Sequence, residues 1–298
     1  QLSGTSVNLY NYQGYGLDQV FNSAARGVAH ESGSSTAYLV KSVVEMSNPM
    51  GGGSTFHTYG GRFLAQATSL DGDTISTLYG TSLADEVSYT SSNAIEAFMG
   101  DGDDYWAGRF TSNSDVDLGA GNDTASAYLA SFSSNTLSKL DGGAGIDTLS
   151  FVNSAHIANG TTLTLDSYGA RNFENLIGSS ASETLTGDAA ANTLGAKMSS
   201  STQGNDTFIG LGGDDTLIAL GDGNDTFDGG TGSDTITTGN GSDTIVLRAG
   251  DGGATLADAD IITDFQDGKD LISVNGAVSF SQGSGSNANH TIMQSSSN

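Results

Sequence analysis

Apolar residues recur in fixed phase between Thr207 and Val246. Phe208, Leu217, Phe227, Ile236 and Ile245 each stand second in a short run that opens with threonine. An acidic turn precedes every run, in the series GNDTF, GDDTL, GNDTF, GSDTI, GSDTI. The aspartates are Asp206, Asp215, Asp225, Asp234 and Asp243, at spacings of 9, 10, 9 and 9 residues. Side chains alternate along a strand, so the pattern predicts three-residue strands with the large apolar residue inward. One repeat makes half a coil of a parallel solenoid, and two repeats, about 18 residues, make a turn. That geometry places Asp206, Asp225 and Asp243 on one edge, with Asp215 and Asp234 on the other. Phe208, Phe227 and Ile245 then line one sheet, opposite Leu217 and Ile236. The residues that follow them, Ile209, Ile218, Asp228, Thr237 and Val246, face outward. Asp228 and Thr237 suit a solvated sheet, and the chain's own flanks are expected to cover Ile209 and Ile218.

The frame weakens upstream. Asp104, Asp123 and Asp147 each close a Gly-x-Gly-x-Asp segment, and Asp104 and Asp123 lie 19 residues apart, about one coil. Asp85 lies another 19 residues earlier. Asp147 taken alone also reads as an ordinary turn with an Asx hydrogen bond. Glu183 and Asn192, nine residues apart and each followed by Thr-Leu, read as degenerate repeats without an ion, since a neutral amide supplies no charge. Residues 1–70 carry no repeat. Alternation predicts strands in SVNLYNY and TAYLVKSVVEM, a short helix in DQVFNSAARGVAHES and a loop at Gly51-Gly52-Gly53. The expected organisation is all-β. A cap or assembly region spans 1–70, a degenerate solenoid 71–199, a regular roll 200–250 and a C-terminal cap 251–298.

The polar positions of the repeat have a chemistry of their own. Gly204, Gly213, Gly223, Gly232 and Gly241, two residues before the aspartates, let the backbone turn sharply and expose its carbonyls. Calcium takes six to eight oxygen ligands from carboxylates and such carbonyls. An ion between each stacked pair of loops gives three sites in this block. Candidate ligands are therefore Asp206, Asp215, Asp225, Asp234 and Asp243 with those five glycine carbonyls, and upstream Asp104, Asp123 and Asp147. Asp225, flanked by Asp206 and Asp243, is shared by two sites.

The array resembles the RTX, or hemolysin-type, calcium-binding nonapeptide repeat GGxGxDxUx. The likeness is close over residues 200–275, weaker over 71–199 and absent from 1–70. The segment NFENLIGSSASETLTGDAAANTL resembles the connectors between repeat blocks, and DADIITDFQDGKDLISV resembles the segment that closes them. The resemblance implies a β-roll with calcium between its loops and, for the protein, type I secretion to the exterior or surface of a bacterial cell.

Composition narrows the function classes. With 34 acidic against 9 basic residues the net charge is −25, which excludes ordinary nucleic-acid binding and argues against anionic membranes. Without counterions such a fold repels itself. The absence of cysteine leaves calcium as the cross-linker. No apolar stretch is long enough to span a bilayer. Gln1 and the residues after it do not form a signal peptide.

No enzyme motif emerges. His30-Glu31 lacks the second histidine of HExxH, GxSxG is missing, and His30, His57, His156 and His290 are scattered. The pairs Asp103-Asp104 and Asp214-Asp215 fall inside calcium-loop spacing, one member a ligand and the other solvated. The expected function is a non-enzymatic structural protein that folds and self-assembles on calcium into an extracellular layer, filament or matrix. Its expected partner is a second copy of itself, with cell-surface polysaccharide as a further candidate. The alternatives are an adhesin or carbohydrate-binding module, and the accessory domain of a larger secreted toxin or hydrolase.

Overall fold

The computed structural model describes residues 76–89, 94–110, 114–129, 137, 139–154, 157–196, 204–252 and 258–275, together with the backbone of seven strands between Asn8 and Gln66. Two compact units divide the chain, residues 1–149 with 166–173, and residues 150–165 with 174–298. Each is a parallel β-roll: the chain alternates between two sheets, so every strand pairs with the strand two places later.

In the first unit the odd strands are β1 (Asn8–Tyr12), β3 (Gly27–Glu31), β5 (Val44–Ser47), β7 (Gly61–Gln66), β9 (Asp85–Tyr89), β11 (Tyr105–Phe110), β13 (Thr124–Leu129) and β15 (Thr148–Ser150). The even strands are β2 (Gln19–Asn22), β4 (Thr36–Val40), β6 (Thr55–Tyr59), β8 (Ser76–Thr81), β10 (Ile95–Gly100), β12 (Asp115–Asp117) and β14 (Leu140–Asp141). Leu78, Ala97, Val116 and Leu140 stand in register along one sheet and are fully buried. Val87, Trp106 and Ala125 do the same in the other. Trp106 packs between Tyr89 and Phe110, each ring centroid 6.1 Å away. Its indole lies so close over Gly108 that a Cβ there would collide with it.

The expected strands in SVNLYNY and TAYLVKSVVEM are present as β1, β4 and β5. The expected helix in DQVFNSAARGVAHES is not. Its two ends are strands β2 and β3, paired in parallel with β4 and with β1 and β5. A short segment gains little from its own helical hydrogen bonds, whereas coils on either side satisfy the backbone of β3 directly. Gly51-Gly52-Gly53 and the C-terminal stretch after Asn275 lie outside the described residues.

In the second unit the even strands are β16 (Thr161–Thr164), β18 (Glu183–Thr186), β20 (Thr207–Ile209), β22 (Thr226–Asp228), β24 (Thr244–Arg248) and β26 (Leu271–Asn275). The odd strands are β17 (Asn175–Ile177), β19 (Thr193–Gly195), β21 (Thr216–Ile218), β23 (Thr235–Thr237) and β25 (Ile261–Ile262). Leu163, Leu185, Phe208, Phe227 and Ile245 form one buried file. Leu176, Leu194, Leu217, Ile236 and Ile262 form the other. Phe208 and Phe227 stack at 4.9 Å with planes 1° apart, the geometry parallel in-register strands impose on identical residues. Of the outward residues, Ile209 and Ile218 are half-buried. Asp228 departs from the solvated role expected of it: it is buried, and its two carboxylate oxygens accept a fork of hydrogen bonds from the guanidinium of Arg248.

Candidate metal centre

The acidic residues are stacked by the coil period. In each row the backbone N–H of one acid-position residue donates to the carboxylate of its successor one coil later. Asp85 donates to Asp104, Asp104 to Asp123 and Asp123 to Asp147, at 2.7, 2.7 and 2.8 Å. One row of the second unit runs from Glu183 to Asp206, Asp225, Asp243 and Asp270, at 2.8, 2.7, 2.8 and 3.2 Å. The other runs from Asn192 to Asp215, Asp234 and Asp260, at 2.8, 2.8 and 3.0 Å. Asp206, Asp225 and Asp243 thus share one edge, and Asp215 and Asp234 the other. Asp103 and Asp214 are exposed and accept the N–H groups of Asn122 and Ser233.

One carboxylate oxygen is used in this ladder. The second is buried without a hydrogen-bond partner at Asp104, Asp123, Asp215, Asp234 and Asp243, and each of these residues is at most 2% exposed. A buried polar atom left bare costs about 1–3 kcal/mol, and more if charged. Burial accordingly pushes the carboxyls up from the ordinary 3.8: Asp104 to about 8, Asp215, Asp225 and Asp260 to about 7, and Asp206 and Asp234 to about 6. Ladder N–H groups oppose the shift, and neighbouring aspartates, among them Asp234 beside Asp215, reinforce it. A divalent cation reverses this balance by supplying the opposite charge.

Glycines complete the loops. A Cβ on Gly232, whose φ is +141°, would land on the carbonyl oxygen of Gly213 one coil earlier, and one on Gly223 would meet that of Gly204. Only glycine allows this approach, which stacks one loop's backbone on the carbonyl oxygens of the loop before it. Among the described residues no three Asp, Glu or His side chains converge as a metal cluster. Such a loop can offer an ion few carboxylates, and carbonyls must supply the balance, as calcium accepts.

Two ladder members, Asp260 and Asp270, escape a search by spacing. They lie 26 and 27 residues beyond Asp234 and Asp243 because loops interrupt the period. Each nonetheless keeps the Asp-x-apolar triplet, Asp260-Ile261-Ile262 and Asp270-Leu271-Ile272, which is the one signal that marks them. Asp264 joins them in closing the end of the array, taking the N–H groups of Thr238 and Gly239 at 2.7 and 2.8 Å. Side chains of the four histidines lie outside the described residues. No helix among the described residues is long and apolar enough to cross a membrane.

A parallel β-roll whose stacked loops bury bare carboxylate oxygens defines a class of solenoid suited to holding a cation between its coils. Residues 200–220 and 220–253 match the family model of the RTX calcium-binding nonapeptide repeat, in 4 copies. The chain carries RTX calcium-binding repeats, and calcium is the ion they bind. No curated protein sequence matches the chain.

Proposed function

We propose that this is a secreted structural protein that calcium folds and assembles into an extracellular layer, filament or matrix. Asp206, Asp215, Asp225, Asp234, Asp243, Asp104, Asp123 and Asp147 serve as side-chain ligands in this reading. Gly204, Gly213, Gly223, Gly232 and Gly241 contribute carbonyls. The observation that carries the calcium-folding half is the set of bare, buried carboxylate oxygens. Assembly is supported by the last described coil: β25 and β26 each end their sheet order, and Ile261 and Leu271 on them are 51% and 61% exposed. No strand among the described residues pairs with these edges, and a sheet edge templates another chain unless covered.

Sedimentation and electron microscopy in millimolar calcium, with and without chelator, test assembly. Ordered polymers that disperse on chelation are expected. A chain that stays monomeric at high concentration in calcium overturns assembly and favours an adhesin or an accessory calcium module.

A further inference from the structure

Nine of the acid-position loops fall into two geometric kinds. In four of them an acceptor oxygen outside the ladder takes the backbone N–H of the residue four positions earlier. Thr81 donates to Asp85 at 2.8 Å, Ser179 to Glu183 at 2.8 Å, Asp188 to Asn192 at 2.8 Å and Gln266 to Asp270 at 2.7 Å. Three of these closures are reinforced. The Thr81 hydroxyl donates to Asp85 at 2.9 Å, that of Ser179 donates to Glu183, and Asn192 Nδ2 donates to the Glu174 carbonyl at 2.9 Å. In the five loops of Asp104, Asp123, Asp215, Asp234 and Asp243 that oxygen is bare.

The residue four before the acid separates the two sets. In the bare loops it is Gly100, Gly119, Leu211, Gly230 or Gly239, with φ of 105°, 102°, 79°, 95° and 81°. In the closed loops it is Thr81, Ser179, Asp188 or Gln266, none of which has a positive φ. A left-handed residue reorients its peptide planes, and its N–H no longer caps the acid. The Gly239 N–H, for one, goes to Asp264 instead. In the four closed loops the N–H points at the side-chain oxygen and supplies the partial positive charge an ion would otherwise bring.

We propose that in these nine loops this residue decides whether calcium is taken, and that the loops of Asp85, Glu183, Asn192 and Asp270 are ion-free ends built into the rows. The inference rests on the calcium-ligand reading above. Asp85, Glu183 and Asn192 stand first in their described rows, and Asp270 stands last in its own. Each leading loop presents its N–H to the next acid, so it forms a template on which the first calcium loop closes. The array therefore has start points that hold their shape before the ion arrives.

Calcium counting by native mass spectrometry of the full chain tests this. Asp188→Gly combined with Asn192→Asp recreates an open loop and is expected to bind one calcium more than the unaltered chain, whereas Asn192→Asp alone gains none. A gain by the single variant, or none by the double variant in a chain that otherwise binds calcium, overturns the proposal. An unaltered chain that binds no calcium overturns the ligand reading beneath it. Hydrogen exchange on the unaltered, chelated chain gives a test free of mutation. The amides of Ser179 and Asp188 should exchange at least tenfold more slowly than those of 230–234, and equal rates overturn it.

Discussion

The backbone N–H of Asp206 donates to the carboxylate of Asp225 at 2.7 Å, 19 residues away in sequence and one coil away in space. That bond joins the two roles of the repeat. It fixes the register of neighbouring coils, and it holds a carboxylate in a buried loop where its charge needs a counterion. If Asp225 holds calcium as proposed, stability and metal binding are the same interaction seen from two coils.

Calcium removal should unfold the array. A site held 100-fold above its dissociation constant adds about 2.7 kcal/mol, so three contribute about 8 kcal/mol, comparable to the whole stability of an ordinary domain. Chelation is expected to abolish the β signal of residues 200–250 in circular dichroism and to lower the melting temperature. The single tryptophan, Trp106, is fully buried two residues after Asp104. Its emission should shift to the red when the first unit loses its ion. An unchanged spectrum after exhaustive chelation contradicts both expectations.

The pH dependence should reverse with calcium. Carboxyl values raised from 3.8 to about 8 at Asp104, and to about 6 at Asp206 and Asp234, mean that the calcium-free fold binds more protons than the unfolded chain between those limits. Its stability is highest below the ordinary carboxylate range and falls as pH rises through about 6 to 8. Calcium binds the deprotonated carboxylates, so its affinity rises over the same window and binding releases protons. Melting curves near pH 5 and pH 8 should therefore rank oppositely in chelator and in excess calcium. The same rank in both media refutes this.

Asp225 and Asp215 should differ in what they hold. Asp225 lies between Asp206 and Asp243, whereas Asp215 has Asp234 on one side and the self-closed Asn192 loop on the other. Asp225→Ala is expected to lose two calcium ions and Asp215→Ala one. Each also strips a ladder N–H of its acceptor, at a cost of about 1–3 kcal/mol. Equal losses of calcium from the two variants would refute the sharing of Asp225.

Leu211 is strained. It is half-exposed, at 53%, and has a φ of 79° where Gly230, its equivalent one coil later, has 95°. A side chain in this region costs about 1–2 kcal/mol, of which glycine's greater freedom in the unfolded chain returns about 0.5–1. Leu211→Gly should stabilise the array by about 0.5–1 kcal/mol and raise its melting temperature by about 2 °C. A lower melting temperature would show that the leucine side chain contributes more than its backbone costs.

The phase of Phe208, Leu217, Phe227, Ile236 and Ile245 determined the roll on its own, because a nine-residue period with alternating side chains has one way to bury those residues in parallel coils. The same regularity placed the five aspartates on two edges. It failed where insertions broke the count, at Asp260 and Asp270, and in DQVFNSAARGVAHES, whose backbone is satisfied by coils on either side and not by its own turns. What only the tertiary structure decided is which acids are left bare. Asp85 and Asp104 have the same residue type and the same 19-residue spacing, yet Thr81 caps the first and Gly100 leaves the second open. Asp228 likewise reads as a solvated residue until Arg248, one coil later, is brought across it. Period fixes which residues are buried. The dihedral angle of one residue and the partner delivered by the next coil distinguish the buried carboxylates that are capped from those left bare.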